Sequence, residues 1–580
     1  MNLPSRYLFL FVVVFSSIVQ SDVDQNVDIE PPKPSANAAL LNHQTRFSDP
    51  EIIRAQDNIY VAHGFDMSNI IFIEGPEGLV VMDTGFRVEK ARLAIAAIRE
   101  ITDKPIVAVI YSHGHGDHVG GSAAFKAEAP EAEFIAYQGW QRNINYISSA
   151  VRPVFSLRAF AQLGLVLPPG LEGTIGSGGG PVLRAGGSIS YVPPTMTVTD
   201  GQWLEFAGLR FQVLHTPGDL DDGLSVWFPS SGLVLTGDTV TDSHVHTILS
   251  TPRHEPNRDA QAFVDSMTRI ESLNAQLLIG GHGDVVQGRA AVRKLVREDR
   301  RTAQFMIDEV VRHIRQNRSG EWVQSKFKYP DWFMGDEERG DYYHRMSWIA
   351  RGVYAQYMGW FSGDATSLSP VAPEERAQRI VQGFGGTEAA LQALNTAYAE
   401  SQFAWSMELA SYILALEPEN LKARQIKSWS LKSLAYSSAS ANERNYLLTQ
   451  AMMLEGKISL GAMAKATLRA GLPDYYGSAD AIGFLHTLGA RLDVEAAREA
   501  RIGFRIELSD RDEHYFVEID RGVILTSATE QGAIDFTMTI SHENLAVLCE
   551  GLGRWDAFHQ ADRLVIEGDA QKFRAFSELF

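Results

Sequence analysis

The sequence predicts a layered α/β domain, then an all-α helical domain, then a small α+β domain. Three observations predict it. Short β-rich runs alternate with helical spacing up to about residue 366. After Ser367 the chain becomes rich in Ala, Leu and Glu, the texture of packed helices. From Gly461 strand-like alternation returns and gives way to helical runs. A chain of 580 residues accommodates several domains at about 100–200 residues each.

Residues 1–21 (MNLPSRYLFLFVVVFSSIVQS) place Arg6 ahead of an apolar run from Tyr7 to Phe15, with small residues at Val19 and Ser21. That is the layout of a secretory signal cleaved before Asp22, and the run is shorter than the ~20 residues a membrane span needs. The expected home is the periplasm or the extracellular space, with no stable membrane span. Residues 22–50 carry Pro31, Pro32 and Pro34 and read as a linker.

Residues 51–366 read as the catalytic domain. Ile59–Ala62, Ile70–Glu74 and Leu79–Asp83 are predicted strands, the last two parted by the turn Gly75-Pro76-Glu77-Gly78. Residues 88–100 form a predicted helix, and the apolar run Ile106–Tyr111 a buried strand. Residues 167–195 are a long Gly/Pro-rich loop, of the kind found near functional sites. Strands resume at Trp203–Phe206, Arg210–His215, Leu224–Phe228, Leu233–Gly237 and Gln276–Gly280, and residues 288–318 are a charged helix. Residues 367–460 read as the helical domain, with helix–turn–helix pairs. Residues 461–580 hold strands near 502–509, 514–520, 522–527 and 534–540, then helices near 541–550 and 570–579.

The formal charge is −19, from 52 basic and 71 acidic residues, which argues against a nucleic-acid partner. One cysteine, Cys549, excludes an intramolecular disulfide framework and a thiolate metal cluster. Sixteen histidines leave imidazole and carboxylate as the metal ligands. Four ligand-type residues fall in SHGHGDHVGG, directly after the Ile106–Tyr111 strand: His113, His115, Asp117 and His118. His113 and His115 are two apart, so an extended loop points both to one side. Asp117 and His118 diverge toward a neighbouring position, so the run supplies two metals rather than one. Further candidates follow other strands: Asp219 in HTPGDLDDG, Asp238 in LVLTGD and His282 in LLIGGHGD. His113 and His115 with one carboxylate make one site. Asp117, His118 and His282 make the other, and Asp238 is placed to bridge. Asp83, closing VVMD, is a candidate for holding a ligand imidazole. Nitrogen and oxygen ligands without sulfur suit two zinc ions, with iron or manganese as alternatives.

These residues resemble the metallo-β-lactamase superfamily: the His-x-His-x-Asp-His run, VVMDTG upstream, and TPG, TGD and GGHG downstream, in the superfamily's order. The segments GFDMSNIIFIEGPEGLVVMDTG, LPPG…VPPT and RGVYAQYMGWFSGDATSLSP, with both C-terminal domains, resemble the alkylsulfatase branch. The resemblance implies an αββα sandwich with a dinuclear site at one edge. It also implies a helical dimerisation domain, hence a homodimer, and a sterol-carrier-like C-terminal domain. The implied reaction is hydrolysis of an amphipathic alkyl sulfate ester to alcohol and sulfate by metal-activated water, with Asp117 serving in catalysis as well as ligation. Arg253 matches the branch's sulfate-binding arginine, and a guanidinium fork suits a tetrahedral oxyanion. Tyr342 and Tyr343 fall near its substrate-contacting tyrosine. The chain departs from the branch at three places. Asp219 and Asp238-Thr239 stand where it has Glu and Glu-Asn, and Gly283 follows His282 where it has Trp-Pro. The departures keep open another hydrolase on the same scaffold, such as a lactonase, β-lactamase or phosphodiesterase. A non-enzymatic lipid-binding protein is the other alternative.

Overall fold

The structure is a computed structural model that describes residues 29–47, 49–147, 150–184, 186–241, 251–252, 254–256, 258–330, 332, 340–459, 461, 479–529 and 532–580. The expected signal of residues 1–21 and the candidate Arg253 lie outside the described residues.

Two sheets form the first domain. Strands β1 (Glu51–Gln56), β2 (Ile59–His63), β3 (Ile70–Glu74), β4 (Leu79–Met82), β5 (Ile106–Ile110), β6 (Glu133–Tyr137) and β7 (Met196–Val198) follow one another across a seven-stranded sheet. Pairing is antiparallel from β1 to β4 and parallel from β4 to β7. Strands β8 (Trp203–Phe206), β9 (Leu209–His215), β10 (Leu224–Phe228), β11 (Leu233–Gly237), β12 (Leu277–Gly280) and β13 (Val286–Gln287) form the second sheet.

Side chains alternate across each strand, and the layering follows from that alternation. Ile71, Ile73, Val80, Met82, Ala108 and Ile110 of the first sheet pack on Phe211, Val213, Val226, Leu235 and Ile279 of the second. The opposite faces take helices. Phe72, Val81 and Val109 pack on the helices Val88–Arg99 and Ser122–Glu128. Val234 and Leu278 pack on the helices Ala260–Ser272 and Arg289–Arg315. Helix, sheet, sheet, helix is the αββα sandwich. Strands buried on both faces read as continuous apolar runs, which is why β3, β4 and β5 were legible.

Four helices, Pro373–Gly383, Thr387–Ala399, Phe403–Leu416 and Leu421–Ser437, pack around Leu391, Leu394, Leu409, Ile413 and Ile426, and a fifth, Ala441–Leu454, packs on the last of them through Ala435, Leu448 and Met452. In the last domain β14 (Arg501–Leu508), β15 (His514–Asp520), β16 (Val523–Ser527), β17 (Phe536–Ile540) and β18 (Leu564–Gly568) form a sheet in the order β16-β15-β14-β17-β18. Cys549 is buried against this sheet, and burial pushes its thiol pKa upward.

Residues 29–47 are not the free linker expected from their prolines. They include a helix, Ala38–Gln44, capped by the Asn37 side chain. Leu40 and His43 are buried, and the His43 ring stacks on Tyr342 with centroids 4.3 Å apart. Tertiary packing overrides the local composition here. Arg444 holds the segment from the far side. Its buried guanidinium donates to Ser35 O at 2.8 Å, Leu171 O at 2.6 Å and Gly173 O at 3.2 Å, tying the N-terminal segment and the Gly/Pro loop to the helical domain. The C-terminal domain is tied down by a second buried pair, Arg152 with Glu550 at 3.0 Å.

Candidate metal centre

Every predicted ligand stands just beyond the C-terminal end of a buried strand. His113, His115, Asp117 and His118 follow β5, Asp219 follows β9, Asp238 follows β11 and His282 follows β12. Rigid strands fix the backbone, and the following turns aim side chains into one space. The approach is tight. A Cβ on Gly281 would stand 2.5 Å from Asp238 Oδ1 and 2.8 Å from His118 Cε1, so only glycine lets the backbone pass there.

Seven side chains converge. His113 Nε2 lies 2.9 Å from His115 Nδ1, and Asp219 Oδ2 lies 2.6 Å from the latter. Asp117 Oδ2 lies 3.5 Å from His118 Nε2 and 3.3 Å from His282 Nε2. Asp238 spans the two groups, with Oδ2 at 3.4 Å from His118 Nε2 and 4.0 Å from His113 Nε2, and Oδ1 at 3.4 Å from His282 Nε2. Donor atoms of His113, His115 and Asp219, of His113, His118 and Asp238, and of Asp117, His118 and His282 each lie within 4.8 Å of one another.

The other nitrogen of each imidazole is held from behind. Ser112 Oγ lies 3.0 Å from His113 Nδ1. Asp83 Oδ2 lies 2.8 Å from His118 Nδ1, and its carboxylate also accepts from Ser112 N and Ser112 Oγ. Asp83 has φ +64°, a left-handed conformation that its short polar side chain tolerates. His282 Nδ1 reaches Met67 O and Gly179 O, each at 2.9 Å. Its loop is braced by Asn69, whose amide donates to Gly280 O and Gly283 O. His115 Nε2 lies 2.7 Å from Glu255 Oε1. Such contacts set which nitrogen faces a metal.

The centre fits divalent cations. His118 Nε2 and Asp238 Oδ1 are buried and have no hydrogen-bond partner among the described residues. Burial works to raise the carboxyl of Asp117, but the imidazoles of His118 and His282 outweigh it and hold it well below its usual range. Asp238 is lowered in the same way, burial being outweighed by His282 and His118. Conversely burial opposes charge on His115 and His282, yet the neighbouring carboxylates raise them to about 9 and about 10. Left to protons, the centre charges His115, His118 and His282, while burial and the neighbouring imidazoles lower His113 to about 3 and keep it neutral. The positive charge those carboxylates demand is what a metal ion supplies.

Residues 63–282 match the metallo-β-lactamase superfamily, residues 319–457 the alkyl sulfatase dimerisation family, and residues 470–580 the alkyl sulfatase C-terminal family. A linear primary-alkylsulfatase from Pseudomonas is 30% identical over 491 residues, covering 83% of this chain and 92% of that one. The chain belongs to the alkylsulfatase family. An alkyl/aryl-sulfatase of Saccharomyces cerevisiae is 24% identical over 434 residues, covering 73% of this chain and 67% of that one. The solved structure of a stereoselective inverting sec-alkylsulfatase from Pseudomonas shares the fold. Its TM-score is 0.82 at 22% identity, covering 95% of this chain and 92% of that one.

Within this alkylsulfatase framework the remaining predicted residues fall elsewhere. Tyr342 and Tyr343 are both buried, Tyr342 against His43 and Leu40, and Tyr343 against Met67, Leu163 and Leu183. Their carbonyls accept from Ala441 N and Asn442 N, at the junction of two domains. His215 stacks on Tyr137 and reaches Asp221 O at 2.7 Å, bracing the turn that carries Asp219.

Two residues were missed. Glu255 is buried against His115, and its Oε2 accepts from Arg258 Nε at 2.7 Å. Arg258, also buried, pairs with the ligand Asp219 as well. The signal was faint: an acidic and a basic residue in RHEPNRD, with no strand in front of them.

Proposed function

We propose that this chain hydrolyses alkyl sulfate esters to alcohol and sulfate at a centre of two divalent ions, zinc being the natural occupant. The observation that carries the reading is the bridging place of Asp238 between two donor groups, in a chain 30% identical to a linear primary-alkylsulfatase. His113, His115 and Asp219 would hold one ion, and Asp117, His118 and His282 the other. The bound ions supply Lewis-acid charge for activating water and for stabilising oxyanions.

The chain's own residues do the orienting. Asp83, Ser112, Glu255 and the Met67 and Gly179 carbonyls turn four imidazoles so that the nitrogen opposite each contact faces the centre. Arg258 clasps Glu255 and Asp219 together and so fixes one edge of the first donor group. Arg253 lies two residues after Thr251 on the stretch that delivers Glu255, and its guanidinium is proposed to grip the sulfate. Tyr342 and Tyr343 are proposed as further substrate contacts.

Phosphate-free measurement of sulfate from dodecyl sulfate tests this reading, beside an acyl lactone, a β-lactam and a phosphodiester. Release from dodecyl sulfate by the metal-replete protein is expected. Turnover of another panel member with no sulfate release would overturn it.

Export and dimerisation are proposed with it. The residue 1–21 pattern supports cleavage before Asp22, checked by N-terminal sequencing of the protein from an expressing cell. The match of residues 319–457 to the alkyl sulfatase dimerisation family supports a homodimer. Light scattering is expected to give twice the mass of the processed chain, each copy lighter than the 64.1 kDa of the full sequence by residues 1–21.

A further inference from the structure

The helix Arg152–Leu163 of the catalytic domain meets the helices Leu421–Ser437 and Ala441–Leu454 across a cavity of about 530 Å³. That volume lies in the range of small-molecule sites, about 300–1,000 Å³. None of its lining residues belongs to the metal centre.

Its chemistry is divided. Val154, Leu157, Met453 and Leu454 give it apolar walls. Val154 is 52% exposed and Met453 is 37% exposed, a cost in apolar surface left in water. Three cations, Arg158, Arg424 and Lys427, line the same space. Arg424 pairs with Glu419 at 2.9 Å, but the Glu419 side chain is 87% exposed, so the pair is weak. Lys427 is half-buried, and burial alone lowers its pKa, with no carboxylate contributing. Thr449 is fully buried and lines the cavity. Its hydroxyl has no hydrogen-bond partner among the described residues. In a chain of net charge −19, three cations gathered on one apolar cavity, with a single weak acid partner among the described residues, are a local reversal of sign.

We infer that this interdomain cavity is a second binding site, separate from the metal centre, for a soluble single-chain amphiphilic anion. The carboxylate or sulfate head would take Lys427 and Arg424, with the Thr449 hydroxyl as a further donor. The alkyl chain would cover Val154, Leu157, Met453 and Leu454. Charge complementarity sets the sign of the ligand, and the apolar walls set its tail. Because the cavity joins the catalytic and helical domains, an occupant would tie the two together.

The test is photolabelling of the metal-loaded, full-length protein with a diazirine-bearing fatty carboxylate, mapped by peptide mass spectrometry. Adducts are expected within residues 152–163 or 441–454. Decanoate should compete, and decyltrimethylammonium should not. Lys427→Met keeps the aliphatic stem and removes the charge. It is expected to retain wild-type metal content and to weaken labelling about tenfold, the loss of one charged contact. Arg424→Gln, on the partly exposed rim, should weaken it in the same direction. Labelling confined to other peptides would overturn the inference. So would labelling untouched by both substitutions, or competed equally well by the cationic amphiphile.

Discussion

Glu255→Gln separates the charge of Glu255 from its shape. The native side chain is only 1% exposed, with Oε1 at 2.7 Å from His115 Nε2 and Oε2 at 2.7 Å from Arg258 Nε. Glutamine keeps an acceptor for His115. It then turns an NH2 group toward the guanidinium, donor against donor. A buried charged donor that loses its acceptor costs about 1–3 kcal/mol. The cost cannot stay local, because Arg258 also clasps Asp219, and Asp219 shares a donor group with His115. Removing a contact behind a ligand typically weakens metal binding roughly 10–100-fold, about 1.4–2.7 kcal/mol. Competition with a chromogenic chelator at fixed pH reads that affinity directly, and Glu255→Ala provides a second variant without an amide. Both are expected to bind metal more weakly while remaining folded by circular dichroism. Affinities indistinguishable from the wild type in both variants would refute the coupling through Arg258.

Three other perturbations test the architecture. Gly281→Ala places a methyl against Asp238 Oδ1 and His118 Cε1 and is expected to abolish metal uptake, measured by elemental analysis after dialysis. Chelation of the purified protein is expected to remove sulfate release, and added zinc to restore it. A preparation active at less than one ion per chain would contradict the centre. Glu550→Ala strips a carboxylate from the buried Arg152 and is expected to cost about 3–5 kcal/mol in denaturant unfolding of the C-terminal domain, with metal content unchanged.

The strand-borne part of the centre was legible because its pattern is local. An apolar run followed at once by Asp or His repeats at β5, β9, β11 and β12, and each instance is contained in about ten residues. Asp83 was legible for the same reason, closing β4. Glu255 and Arg258 were not, since their partners His115 and Asp219 stand 140 and 39 residues away and the intervening chain carries no periodicity to connect them. The strands β1 and β6 also escaped notice. β1 is an edge strand in which only Ala55 is buried, and β6 begins and ends on half-buried residues, Glu133 and Tyr137. The order of residues 29–47 was invisible in their composition, because what orders them is Tyr342 and Arg444, hundreds of residues downstream.

That last contact bears on how the chain is made. Ser35 leaves the ribosome 409 residues before Arg444, its partner. Leu171 and Gly173 wait 273 and 271 residues for the same side chain. Until the helix Ala441–Leu454 exists, the segment can dock on Gly178, Gly180 and Tyr342 but lacks the donor to Ser35, and the Gly/Pro loop lacks the donor that gathers its Leu171 and Gly173 carbonyls. Final closure of this part of the molecule is therefore a late event, made only once the chain has been extended past Arg444. A chain threaded across a membrane from its N-terminus would make the Arg444 tie only after most of its length had passed.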